Sequence, residues 1–372
     1  MRTAWHIFTI FGIKIKIDSS WIFIFAFVTW ALAGHYFPSQ YSHWPPWQHW
    51  IVGLITSLLL FSSVLAHELA HSLVARSRGE EVRSITLFIF GGVAEISDEP
   101  ETPGKEFIIA LVGPVSSLII SAIFFGVWHG MRGINEPIAA MARYLSIINV
   151  ILAVFNMIPG FPLDGGRVLR SIAWKVTGNL KRATRIASVI GQGVAFLLIF
   201  FGISQLLRGF FFNGLWIALI GWFIHSAAVR GYRQVLLKEV LNDVRAQDLM
   251  DTAFETIDGF ISVQALIDDH ILRKKERSFL VTEGGGLAGI VCLEDVKAVP
   301  PDKRANTEVR EIMTPKDQLA AVSPEADGNQ ILAKLASGKI HQVPVIQGGK
   351  IRGLVCRADI LDFIHLHSKR GI

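Results

Sequence analysis

Cysteine is nearly absent: Cys292 and Cys356 are the two in 372 residues, and both fall in the C-terminal third. No disulfide framework can be built from them, which fits a reducing compartment. Charge is also scarce, at 18% Asp, Glu, Lys and Arg, against roughly 25% in ordinary soluble domains. Residues 1–30 lack a short apolar core followed by a small-residue cleavage site, so no removable signal peptide is expected. What fills the place of charge is apolar: 51% of residues are hydrophobic, and mean hydropathy is +0.43.

The scarcity of charge is uneven. Residues 1–240 hold 19 Lys+Arg against 12 Asp+Glu, whereas 241–372 hold 17 against 19. Two bodies with different solvents are implied, with a border near residue 238. The basic excess flanks apolar segments, which suits an anionic membrane face and not a nucleic-acid surface.

Six apolar stretches approach bilayer-spanning size, near 21–36, 51–75, 107–128, 145–158, 190–207 and 215–229. Arg167, Arg170, Lys175, Lys181, Arg182 and Arg185 crowd the fourth connection, while the first, residues 34–50, has no Lys or Arg. The positive-inside rule makes the fourth connection cytosolic and, with six spans, places both termini there too. Trp44, Trp47 and Trp50 in the first connection then suit an external aromatic belt. His35, His43 and His49 in that connection, and His225 in the last stretch, read as surface and packing residues.

The second stretch contains His67-Glu68-Leu69-Ala70-His71. Histidines at i and i+4 share one helix face and can chelate one ion. Titratable groups inside a span cost roughly 3 kcal/mol each, so they persist where they pair or bind something. A polar cluster lining a pore is the alternative. Two imidazoles need a third ligand for zinc, and Asp164 in Asn156-Met157-Ile158-Pro159-Gly160-Phe161-Pro162-Leu163-Asp164-Gly165 is the candidate. His67 lies nine residues before Arg76, roughly 13 Å in depth. Pro159, Gly160 and Pro162 break the inward-running fourth stretch just before Asp164, at a similar depth. A plain Pro-Gly exit turn with a solvated Asp164 is the competing reading. With His67, His71 and Asp164 as ligands, Glu68 is placed to act as general base in peptide-bond hydrolysis.

These residues resemble the site-2 protease family of intramembrane zinc metalloproteases: His-Glu-x-x-His at 67–71, and Asn-x-x-Pro-x-x-Pro-Leu-Asp-Gly at 156–165. The resemblance covers about residues 1–235 and extends to Phe90-Gly91-Gly92-Val93-Ala94 and to Gly113-Pro114. It implies one Zn2+ held by His67, His71 and Asp164, Glu68 as catalytic base, and Asn156 beside the substrate. Family substrates are membrane-anchored proteins with one span. An extended segment at 85–96 can pair with an unwound substrate, or can form an ordinary amphipathic hairpin.

Beyond residue 238 the chain repeats itself. Gly-Ile-Val-Cys-Leu-Glu-Asp at 289–295 answers Gly-Leu-Val-Cys-Arg-Ala-Asp at 353–359, an offset of 64 residues. The units, about 244–300 and 308–366, resemble a pair of cystathionine-β-synthase (CBS) domains. That resemblance implies ATP, ADP or AMP as ligand, with Asp295 and Asp359 at the ribose position, and pairing of two chains through these domains. Cys292 and Cys356 depart from the pattern, standing where Thr or Ser often precedes the acid by three.

The expected architecture is a polytopic α-helical membrane domain at 1–237, with about six transmembrane helices and short membrane-associated strands, followed by a cytosolic α+β CBS pair at 238–372. The expected location is a prokaryotic cell membrane. A CBS-regulated transporter or channel is the alternative function.

Overall fold

The computed structural model describes residues 4–96, 100–252, 256–274, 278–284, 286–319, 321–337, 342–348 and 350–368. The chain divides into two units, Met1–Arg233 and Gln234–Ile372.

The first unit opens with a hairpin. Strands β1 (Ala4–Ile10) and β2 (Ile13–Asp18) pair antiparallel. Phe11 and Gly12 turn the chain with φ of 50° and 78°, the left-handed pair that a two-residue hairpin loop requires. The alternation of β2 sends Ile13 and Ile15 into a core with Ala75, Ile85 and Ile109. Asp18 ends the strand and caps the next helix, accepting from the Ser20 amide at 3.0 Å.

Helix α1 (Ser19–Ala31) continues through a widened turn at Leu32–Tyr36 into α2 (Phe37–Gln40). Helix α3 spans Pro46–Ser77, with Pro46 at a first-turn position where its missing N–H costs nothing. Strands β3 (Val82–Phe88) and β4 (Gly91–Ile96) follow, β3 parallel to β2 and antiparallel to β4. The sheet order is β1-β2-β3-β4, so β4 is an edge.

Helices α4 (Pro103–Met131) and α5 (Glu136–Asn156) form a pair, each started by a capping side chain, Thr102 and Asn135. A short helix not expected from sequence, α6 (Asp164–Thr177), occupies the fourth connection and ends at Gly178, with φ of 65°. Then come α7 (Leu180–Leu207) and α8 (Phe211–Asn242). Among the described residues six helical stretches, Ser19–Gln40, Pro46–Ser77, Pro103–Met131, Glu136–Asn156, Leu180–Leu207 and Phe211–Asn242, are long and apolar enough to cross a bilayer. They coincide with the six expected spans. Lipid-facing chemistry shows on their outsides, where Phe23, Phe200 and Phe212 are exposed.

In the second unit, β5 (Thr256–Asp258), β6 (Ser278–Glu283), β7 (Gly286–Cys292) and β8 (Thr314–Pro315) form one sheet, and β9 (Gln342–Gln347) pairs with β10 (Lys350–Cys356). The β6–β7 and β9–β10 hairpins turn at Gly284 and Gly348, with φ of 58° and 59°. Those glycines are again 64 residues apart. The two halves exchange their leading segments: Thr314 and Pro315 pair with Ile290 and Gly289, while Asp251 bridges Leu354. Each half's core is therefore completed by chain from before the other half.

Candidate metal centre

Helix periodicity on α3 stacks His67 above His71, and both rings are buried, at 3% and 4% exposure. Asp164 arrives from α6, where it is the first residue after the Pro-Gly break. The break is tight. A Cβ on Gly165 would fall 2.6 Å from the Ile158 carbonyl oxygen and closer still to that of Met157. One on Gly166 would collide with the Gly160–Phe161 peptide. Only glycine lets the start of α6 lie against the chain that leaves α5.

The result is convergence. The Asp164 Oδ2 atom lies 3.1 Å from Nε2 of His67 and 3.1 Å from Nε2 of His71, and the two nitrogens are 3.2 Å apart. Three ligand atoms held at 2.0–2.1 Å around tetrahedral zinc stand about 3.3 Å from one another. The far sides of the rings are engaged by α4: His71 Nδ1 donates to the Ile109 carbonyl oxygen at 2.6 Å, and His67 Nδ1 meets Ser117 Oγ at 2.9 Å. With His71 Nδ1 committed to the Ile109 carbonyl, its Nε2 faces the Asp164 carboxylate oxygen, an arrangement that a cation between them would stabilise. The donor set, its spacing and its burial fit zinc.

Space is reserved at the same point. A Cβ on Gly113 of α4 would lie 2.7 Å from His67 Nε2 and 2.5 Å from His71 Cε1. Residues 109, 113 and 117, one turn apart, thus present a single α4 face to both histidines. Next to His67, Glu68 packs against β4, where a Gly92 Cβ would stand 3.0 Å from its Cδ. The candidate base therefore adjoins the sheet edge.

Two further charged groups close the region. Glu106 of α4, fully buried, accepts from Arg170 Nε of α6 at 2.6 Å. The guanidinium also lies over the Phe161 ring, 5.3 Å from its centroid. Sequence reasoning missed this pair, Ser117, Ile109 and α6 itself. One signal was available: Glu106 is a lone acid at the mouth of a long apolar run, a placement that calls for a partner.

The structure brings His67, His71 and Asp164 together. Asn156 is the last residue of α5, half-buried, and adjoins Met157, whose carbonyl packs on Gly165. Asp295 and Asp359 lie in the second unit, each accepting from a helix-start amide: Cys292 N at 2.8 Å and Cys356 N at 2.7 Å. The histidines of the first connection make local contacts: His43 pairs with Glu136 at 2.7 Å, and His49 Nε2 meets the Tyr41 carbonyl at 3.0 Å.

Six membrane-length helices and a buried His-His-Asp cluster able to hold a metal ion define the class, a membrane-embedded metalloprotein. The sequence profile of Peptidase family M50 matches residues 55–142 and 131–200, and that of the CBS domain matches 309–366. A Synechocystis sp. protein named as a zinc metalloprotease is 37% identical over 360 residues, 95% of this chain and 93% of its own length. A Mycobacterium tuberculosis protein, Rip3, also named as a zinc metalloprotease, is 32% identical over 371 residues, 99% of this chain and 94% of its own length. Among solved structures, the site-2 protease of Methanocaldococcus jannaschii is 28% identical and covers 61% of this chain and 94% of its own, with a TM-score of 0.44. The chain belongs to peptidase family M50, the site-2 proteases. It is a multi-pass membrane zinc metalloprotease that carries a CBS domain, and the transporter alternative falls away.

Proposed function

We propose that His67, His71 and Asp164 hold one Zn2+, and that Glu68 is the general base for hydrolysis of peptide bonds in or near the single span of membrane-anchored proteins. The observation that carries this reading is the convergence of three buried ligand atoms at 3.1–3.2 Å. Zinc bound there supplies Lewis acidity, which lowers the pKa of water toward 7 and polarises a carbonyl.

The protein's own groups do the rest. Ile109 and Ser117 fix the two ring orientations, so both Nε2 atoms stay aimed at Asp164. Glu68 takes the proton of the attacking water and returns it to the leaving amine. A helical peptide bond is shielded by its own hydrogen bonds, so the substrate must be unwound before attack. The free edge of β4, beside Glu68, can pair with the unwound backbone. Asn156, at the entry to the Asp164 loop, is placed to contact substrate.

The basic fourth connection supports a cytosolic face for that loop and for the C-terminal unit, and the organisms of the relatives support a prokaryotic cell membrane. The duplicated tail supports adenine-nucleotide control, with Asp295 and Asp359 toward ribose and with two chains joining through these domains. One oxygen of each acid accepts from the amide that starts its helix. Calorimetry with ATP, ADP and AMP tests this; no heat with any of them removes the nucleotide role. For the protease site, about one zinc per purified chain is expected, lost in His67→Ala or His71→Ala. A metal-free preparation that still cleaves a single-span substrate would sink the reading.

A further inference from the structure

The three ligand candidates have unequal support. His67 and His71 share α3, and each ring is held from α4 by Ser117 or Ile109. Among the described residues, the Asp164 carboxylate meets only the two imidazole Nε2 atoms, each at 3.1 Å. Its place must therefore come from its helix, and α6 is short, Asp164–Thr177.

Helix α6 packs along α4, and within that contact lies the buried Glu106–Arg170 pair. Glu106 is 0% and Arg170 5% exposed. Arg170 Nε donates to Glu106 Oε1 at 2.6 Å, and Nη2 meets the same oxygen. Oε2 of Glu106 is buried with no partner. The same guanidinium covers Phe161 in the loop that delivers α6, and that loop is held in turn by Phe161 N donating to the Ala187 carbonyl at 3.0 Å.

A buried ion pair is a poor source of stability, because desolvation offsets most of its attraction, and apolar residues would pack as well. What a rigid guanidinium fork supplies is geometry. On α4, Glu106 sits one turn before Ile109, so residues 106, 109, 113 and 117 of one helix meet Arg170, His71, both metal-facing nitrogens and His67. Arg170 is six residues from Asp164, about 9 Å along α6.

The geometry points to Glu106 and Arg170 as a latch that holds α6 in register with α4, and so sets Asp164 opposite the two imidazoles. Both are positioning residues, neither a ligand nor a catalytic group. The inference rests on Asp164 being a metal ligand, as proposed above.

The test is zinc affinity of the purified full chain, read by competition with a chelator of known affinity, in a cycle of wild type, Arg170→Gln, Asp164→Ala and the double variant. Arg170→Gln is expected to weaken zinc binding about 10- to 100-fold, and less than about twofold once Asp164 is already Ala. Arg170→Lys, which keeps the charge and loses the fork, and Glu106→Asp are expected to fall between; they carry the same comparison if Arg170→Gln does not fold. An equal loss in both backgrounds means general loosening and overturns the latch, as does no loss when Asp164→Ala alone is weak. Unchanged affinity in Asp164→Ala alone overturns the ligand assignment itself, and the latch with it.

Discussion

Gly113 faces His67 so closely that a methyl group on it would stand 2.7 Å from Nε2, inside the space a bound ion needs. Gly113→Ala is therefore expected to reduce zinc to below about a tenth of an equivalent per chain, because backbone on both α3 and α4 must shift to admit one carbon. Metal analysis of the purified variant checks this, with thermal unfolding as the control for folding. Full zinc occupancy would show that the ring nitrogens do not converge on an ion.

Glu68 and Gly92 separate chemistry from metal binding. Glu68→Gln keeps the shape and removes the base, so turnover should fall by about 10²- to 10⁴-fold with zinc retained. Gly92→Val should also lose turnover at full zinc content, since its side chain would push Glu68 from its place against β4. Unchanged cleavage of a single-span substrate by Glu68→Gln would refute the assignment of the base.

Ser117→Ala removes the partner of His67 Nδ1 and leaves the ring free to choose its tautomer. A drop in zinc affinity of about 10-fold is expected, at the lower end for outer hydrogen-bond partners, since the helix still confines the ring. Chelator competition reads it; equal affinities would mean that α3 alone orients His67.

Which features were legible follows from what kind of atom carries them. His67, His71 and Asp164 are side chains with distinctive chemistry in an apolar setting, and the chain break before Asp164 is spelled by Pro159, Gly160 and Pro162. The spans follow from length and hydropathy alone. The Ile109 carbonyl is a backbone acceptor that any residue would provide, so nothing in the sequence marks it. Ser117 looks like one more small residue in a span. Gly113 was visible through family resemblance, but its closeness to both rings needs the α3–α4 packing. Glu106 and Arg170 lie 64 residues apart, and only the fold brings them together. Helix α6 was hidden because its basic side chains, Arg167, Arg170 and Lys175, read first as an orientation signal and not as part of an amphipathic helix.

The exchanged segments of the tail make its halves interdependent. A Cβ on Gly353 would lie 2.8 Å from both the Asp251 carbonyl oxygen and Met250 Cγ, and one on Gly289 would lie 2.8 Å from Met313 Sδ. Gly353→Val should cost about 1–3 kcal/mol through overpacking, read as a lower urea midpoint of the tail. Because the crowded segment, Met250–Asp251, leads the first half while Gly353 belongs to the second, both halves should lose structure in one transition. Two separate transitions would show that the halves fold independently.

Cys356 offers a test by pH. Burial, followed by the negative charge of Asp359, pushes its thiol up to about 11. Both causes penalise the thiolate, which is the reactive form. At pH 8 an ordinary thiol of pKa about 8.5 is roughly a quarter ionised, whereas Cys356 is about 0.1% ionised, so alkylation should be on the order of 100-fold slower. In a Cys292→Ser chain the alkylation rate should keep rising with pH to about 11, instead of levelling near 9. Asp359→Asn removes the second cause and leaves the first, so its rate at pH 8 should rise only partway toward that of a free thiol. A rate that levels near 9 in the unmodified tail would mean that water reaches the sulfur and that Asp359 faces elsewhere.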